Sequence, residues 1–196
     1  MRSAFVFVLM ALALLPGCSV FQTAPTTASM PGSAAQLMDW HISGKAGIRL
    51  RNEAHSAYVE WTQHDDSFDL LLFGPLGQGK SRLRGDQRTV SLETASGETW
   101  HDTSPETLLE RLYGWQLPVS RAQYWVKGLA APDSSASVQR NADGSLSHLE
   151  QDGWIIDYLS YQPPSPALLP QKLVMRYDGV RVTLIIKQWQ ALAAAQ

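Results

Sequence analysis

The octapeptide GPLGQGKS, Gly74 to Ser81, satisfies the phosphate-loop spacing G-x-x-x-x-G-K-[ST], with Gly74, Gly79, Lys80 and Ser81 in the required places. In such a loop the free amides of a helix N-terminus hold a phosphate while the lysine neutralises it, so the motif must open directly into a helix. Here it leads into RLRGDQRTVSLET, where Leu83 alternates with Arg82 and Arg84 and Gly85 follows at once. That is a strand pattern, and Pro75 also removes one amide hydrogen from the cradle. Context argues against nucleotide binding. His41, His55, His64, His101 and His148 show no metal-ligand spacing, and there is no G-x-S-x-G nucleophile elbow. The carboxylate pairs Asp65 with Asp66 and Glu150 with Asp152 fall beside turn signals, where acids are ordinary. No enzyme, cofactor or metal is expected. A net charge of −2 without a run of like charge gives nucleic acid nothing to bind.

The N-terminus carries a different chemistry. After Arg2, the stretch Ala4 to Leu15 is apolar but only twelve residues long, and a membrane-spanning helix needs about 20. Residues 1–17 therefore read as a secretory signal peptide. It runs into LLPGC, Leu14 to Cys18, which resembles the cleavage box of bacterial lipoproteins, with Pro16 departing from the usual small or aliphatic residue. The resemblance implies that Cys18 becomes the first mature residue and carries fatty acyl groups such as palmitate. Two or three such chains give lasting attachment at about 0.8 kcal/mol per buried methylene. Ser19 stands where lipoprotein families place Asp for inner-membrane retention, which points to the outer membrane, facing the periplasm. Cys18 is the only cysteine, so no internal disulfide can form.

These features need a scaffold, and the sequence describes one domain. Residues 18–36 are poor in charge and rich in Ser, Thr, Ala and Pro, which reads as a flexible tether. A short helix is expected from Ala34 to Asp39, the folded domain over residues 37–190, and a C-terminal tail over 191–196. From Trp40 the pattern has period two: Ala46, Ile48 and Leu50 share one face and Lys45 and Arg49 the other. Ala57, Val59 and Trp61 repeat it, as do Phe68, Leu70 and Leu72. The middle differs, because SPETLLERLYG offers Ser104 as cap, Pro105 at the first helical position and Gly114 as stop. A second helix is expected in SRAQYWVKG, capped by Ser120. Asp143-Gly144 and Asp178-Gly179 mark tight hairpins. The sum is a mostly β fold of about eleven antiparallel strands, long enough to curl or close, with inserted helices able to cover an open end.

In that frame the opening octapeptide is a hairpin tip. FDLLLF rises from Phe68 to Phe73, turns through GPLGQG, and descends as KSRLR, leaving Leu76 at the apex with nothing to pack on. Single exposed leucines are common and need no function. A tether to a membrane changes that judgement, because a leucine worth about 1.5 to 3 kcal/mol on burial could enter lipid and leave again.

The lipobox, LLLFGPLGQG, GWQLPV and YWVKGL, in this order and spacing, resemble the LolB family of outer-membrane lipoprotein receptors, across essentially the whole chain after the signal. Many members have G-L-P directly where Ala130 and Ala131 here delay Pro132. The resemblance implies an unclosed antiparallel β-barrel with a helical lid, LolA/LolB-like, around an apolar cavity. It implies that acylated lipoproteins arrive from a LolA-like periplasmic carrier and are delivered into outer-membrane lipid, that Leu76 serves membrane insertion, and that no cofactor takes part. A monomer is expected. Candidate cavity residues are the inward sets Val59, Trp61, Phe68, Leu70, Leu72, Val90 and Leu92 from the first strands. Ile156, Tyr158, Leu173, Met175, Val182, Leu184 and Ile186 come from the later strands, and Leu108, Leu112 and Trp125 from the helices. About half of these are expected to be plain core packing. Two other readings stay open on sequence: a lipocalin-like lipoprotein holding another apolar ligand, and a passive envelope scaffold.

Overall fold

A computed structural model describes residues 27–50, 53–86, 88–163 and 167–193. The stretch read as a signal peptide, Cys18 and most of the expected tether lie outside the described residues. The strands are β1 (Thr27–Ala28), β2 (Trp40–Leu50), β3 (Glu53–His64), β4 (Ser67–Phe73), β5 (Ser81–Gly85), β6 (Val90–Thr94) and β7 (Thr99–Asp102), followed after the helices by β8 (Ala136–Arg140), β9 (Leu146–Gln151), β10 (Trp154–Tyr161), β11 (Pro170–Tyr177) and β12 (Val180–Leu192). Helices α1 (Pro105–Tyr113) and α2 (Val119–Trp125) fall between β7 and β8.

Every pairing is antiparallel, and the sheet runs β7-β6-β5-β4-β3-β2-β12-β11-β10-β9-β8. The eleven strands of this path match the expected number, and β1, pairing with the far end of β12, makes twelve. β7 and β8 each have a single neighbour, so the barrel stays open between them. The chain reversal from β12 back to β2 lets the last strand zip onto the first long one, Val180 to Ala191 against Leu50 to Trp40.

Two expected boundaries move. β1 lies inside the stretch read as tether, and Ala34, 8% exposed, belongs to the core, so ordered packing begins before residue 37. At the other end Ala191 and Leu192 are 4% and 6% exposed and finish β12 rather than forming a tail. Both errors share one cause: the two ends cover each other, a contact with no local signal. The helix expected over Ala34–Asp39 is a single 3-10 turn, Ala34–Gln36, capped by Ser33.

The inserted helices follow local rules only in part. The Ser104 hydroxyl accepts from the Thr107 amide, Pro105 opens α1, and Gly114 closes it in the left-handed region at φ 67°. Ser120 is not the cap of α2; it lies inside that helix, whose cap position is Pro118. The first-turn amide of Ser120 instead donates to Glu106 Oε1 at 2.8 Å, so α1 supplies the cap of α2. Behind α2, Gln151 acts as a clamp. Its Oε1 accepts from Trp125 Nε1 and from the Ala131 amide, both at 2.9 Å, and its Nε2 donates to the Ala131 carbonyl at 2.8 Å. Tyr158 adds a hydroxyl bond to the Trp125 carbonyl at 2.9 Å, and burial pushes its pKa up, so it remains a donor. These bonds fix the lid to β9 and β10.

On the outer face, His148 bridges β9 and β10. Its Nδ1 lies 2.7 Å from Asp157 and its Nε2 3.1 Å from Glu150, while Arg176 reaches Asp157 from β11 at 2.5 Å. Asp157, then Glu150, hold the imidazole above its ordinary 6.5. A pKa raised on folding stabilises below the unfolded value and loses that contribution as pH climbs through the folded one. Melting temperature should therefore fall with rising pH just above 6.5, and His148→Gln should flatten that slope in thermal denaturation. An unchanged slope would show that the bridge is idle.

Candidate functional site

Side-chain size decides where this interior is solid and where it is hollow. At one end Trp40 packs against Trp61 and Trp189 with ring centroids 5.2 and 5.5 Å apart, forming a closed floor. Farther along β2, small residues meet: Ala46 pairs with Ala57 on β3 and with Leu184 on β12, and Ala122 faces the same space from α2. Alanine leaves volume that its neighbours do not fill, and the result is an apolar chamber of about 100 Å³ beneath α2. Its walls include Ile48, Val59, Leu70, Leu72, Met175 and Val182, and its roof Leu117, Pro118, Val119 and Val126. The only side-chain nitrogens in this lining belong to Trp61 and Trp154, and the Trp61 indole is engaged by Gln63 at 3.2 Å.

Across Ala46, Ile48, Leu70, Leu72, Leu117 and Val119, which line both, the chamber adjoins a larger cleft of about 690 Å³ under α1 and the loop after it. Leu83, Leu92, Leu109 and Leu112 line this second part. Its polar lining comes from Glu53, His55, Ser56, Gln78 and Ser81, with the polar tips of Tyr113 and Trp115. The rim is aromatic on the lid side, where Trp115 lies 5.0 Å from Tyr113 and 5.9 Å from His55.

The same cleft reaches Phe73, Gly74 and Gly79, the base of the loop between β4 and β5. That loop is no phosphate cradle. Ser81 begins strand β5, with Ser81 opposite Leu72 and Leu83 opposite Leu70, and no helix follows. Gly74 closes the turn by donating to the Gln78 carbonyl at 2.7 Å. Leu76 stands at its tip, 97% exposed and in the left-handed region at φ 63°. A leucine gains nothing from that backbone, which costs an L-residue about 1 to 2 kcal/mol. Glycine or asparagine would fit better, so the choice of leucine is unrelated to folding.

The sequence candidates divide accordingly. Val59, Trp61, Leu70, Leu72, Leu92, Leu112, Met175, Val182 and Leu184 line the two parts of the hollow. Phe68 instead faces a separate cleft with Gln63, Asp66 and Arg121 near the β3–β4 turn. Val90, Leu108, Trp125, Ile156, Leu173 and Ile186 are at most 1% exposed and Tyr158 6%, and they lie within the packed core, outside both linings. Trp125 is the clearest correction, because its indole is spent on the Gln151 clamp. Ala46, Ile48, Ala122 and the Leu117-Pro118-Val119 segment were missing from the list. Alternation already put Ala46 and Ile48 on the inward face, so that signal was present; the roof segment lies in GWQLPV, which carried the family resemblance but no periodicity pointing inward.

The comparisons agree with this architecture. The family model described as "Outer membrane lipoprotein LolB" matches residues 38–189. An outer-membrane lipoprotein LolB from Pseudomonas savastanoi pv. phaseolicola is 41% identical over 200 residues, covering 97% of this chain and 96% of the relative. The protein of that name from Stutzerimonas stutzeri is 44% identical over 156 residues, covering 80% and 76%. Among solved structures, a LolA superfamily protein from Nitrosomonas europaea superposes with a TM-score of 0.52 at 7% identity, covering 82% of this chain and 89% of that one. This last likeness speaks for the fold alone. With a family match over nearly all the described residues and identities of this size, the chain belongs to the LolB family of outer-membrane lipoproteins.

Proposed function

We propose that this protein, held at the outer membrane by acyl groups on Cys18 and facing the periplasm, receives the fatty chains of incoming lipoproteins in its hollow and releases them into the bilayer beside the Leu76 loop. The observation that carries this reading is a pair of adjoining, mainly apolar hollows with six lining residues in common, the second of which reaches the base of that loop. Acyl chains cost about 0.8 kcal/mol per methylene to expose to water, so a lipoprotein crossing the periplasm needs a container at both ends of its journey. A LolA-like carrier sharing this fold is the fitting donor.

The lining also weighs against a lipocalin-like binder of one defined small molecule. Such sites place a few polar groups to orient their ligand, and the inner chamber offers only indole nitrogens. Apolar walls without directional partners suit chains that must slide out again. A passive scaffold would have no need of the space.

A photo-crosslinking residue at Leu72, which lines both parts of the hollow, tests the reading. Labelling of the acylated end of a lipoprotein is expected when carrier-bound cargo is added. Labelling of only a small lipid would favour the binder, and labelling of nothing the scaffold.

A further inference from the structure

The outer face of the sheet carries a feature that the hollow does not explain. In register across three strands, Arg49 on β2 stands opposite Arg181 on β12, and Arg181 opposite Arg176 on β11. Like charges directly opposed in an antiparallel pair are destabilising. A second row repeats the arrangement, with Ile185 between Lys45 and Lys172. Between the rows Thr183 pairs with Gly47 on β2 and with Val174 on β11, and Val174 is only 2% exposed. Arg176 is neutralised by Asp157, whereas among the described residues Lys45, Lys172, Arg49 and Arg181 form no salt bridge. Five of the chain's 16 Lys and Arg residues stand on this part of the sheet.

Apolar groups are set among them. The Lys45 ammonium lies 5.0 Å from the Tyr58 ring, and Tyr58 stacks on Phe73 at 5.4 Å. Phe73 ends β4 and leads directly into the Leu76 loop, while Ile185 is 39% exposed between the two lysines. Cations, amphipathic rings and exposed aliphatics thus form one tract that continues into the protruding leucine.

We propose that this face docks on the phosphate groups of an anionic bilayer and seats the protein with its loop at the lipid surface; the inference deepens, and rests on, the delivery reading above. Guanidinium groups match phosphate oxygens in bidentate geometry, and paired arginines that repel each other in the free protein are relieved when an anion lies across them. Aromatic rings beside cations suit the headgroup zone. The continuity with Leu76 favours lipid over an acidic protein surface, which would have no use for the leucine. Attraction to an anionic membrane is worth about fivefold in binding per cation.

The test is cosedimentation of the mature chain, residues 18–196 with Cys18→Ser, with phosphatidylcholine vesicles and with vesicles of about one-third phosphatidylglycerol. The unmodified face should prefer the anionic vesicles and lose that preference as ionic strength rises. Arg49→Gln with Arg181→Gln should weaken binding to anionic vesicles roughly 25-fold by the per-cation factor, with unchanged far-ultraviolet circular dichroism. Leu76→Glu should weaken binding to both vesicle types while keeping the anionic preference. No anionic preference, or equal binding by the double variant, would overturn the proposal. So would a double variant that binds vesicles normally but no longer binds a LolA-like carrier, which would assign the face to that protein. The assay contains no lipoprotein cargo, so its failure and a failure of acyl-chain transfer are separate results.

Discussion

Leu76→Glu should leave the protein folded and able to take up lipoproteins, yet reduce their transfer into liposomes at least tenfold. The residue is 97% exposed and contacts nothing in the fold, so its replacement removes no packing. What it removes is an apolar tip. Burying a leucine side chain is worth about 1.5 to 3 kcal/mol, which is a ten- to hundredfold effect on how often the loop enters lipid, and a carboxylate there adds a desolvation penalty. Leu76→Asn separates chemistry from shape. Asparagine tolerates the left-handed backbone, so this variant keeps the turn at φ 63° and loses only the grease. It should be slow in delivery too. Uptake by both variants is measured as transfer of labelled cargo from the carrier, delivery as its appearance in floated liposomes. Wild-type delivery by Leu76→Glu would end the proposed role of the loop.

The opposite defect is expected of Ala46→Phe. Ala46 lines both parts of the hollow and sits between Ala57 and Leu184, where a phenyl group would project into space now empty. Overpacking a filled core costs about 1 to 3 kcal/mol; here the cost should lie at or below the lower end, because the ring has room. Acceptance of cargo from the carrier should fall about tenfold, by the same 1.4 kcal/mol per decade that governs any binding loss. The melting temperature checks that the fold survives. Vesicle contact through Leu76 should be untouched, so the two variants would separate receiving from releasing. A folded Ala46→Phe that accepts cargo at the wild-type rate would mean that the acyl chains go elsewhere.

How far the chain could be read without coordinates follows from the range of each signal. The Leu76 turn was legible because Pro75, Gly77 and Gly79 are local instructions and the alternation after Ser81 forbids a helix. The Ser104-Pro105 start and Gly114 stop of α1 were legible for the same reason. Strand faces followed from period two. The hollow was not legible, since an inward alanine looks like filler until the register shows Ala46 opposite Ala57. Nor could sequence tell that the Trp125 indole would be taken by Gln151, twenty-six residues away, or that the cap of α2 would come from Glu106 on α1. The residues that matter most for capacity are thus the small ones, which hydrophobic patterning ranks last.

The sheet ends in two strands, β7 and β8, that do not meet. A sealed ring of strands has its girth dictated by strand number and stagger, and such a vessel takes only what its fixed bore admits. With the seam between β7 and β8 left unstitched, no closing ladder dictates the girth here. A vessel of that kind need not be cut to one passenger. On the proposed delivery reading, a wall without a fixed bore suits cargo chains of unequal bulk.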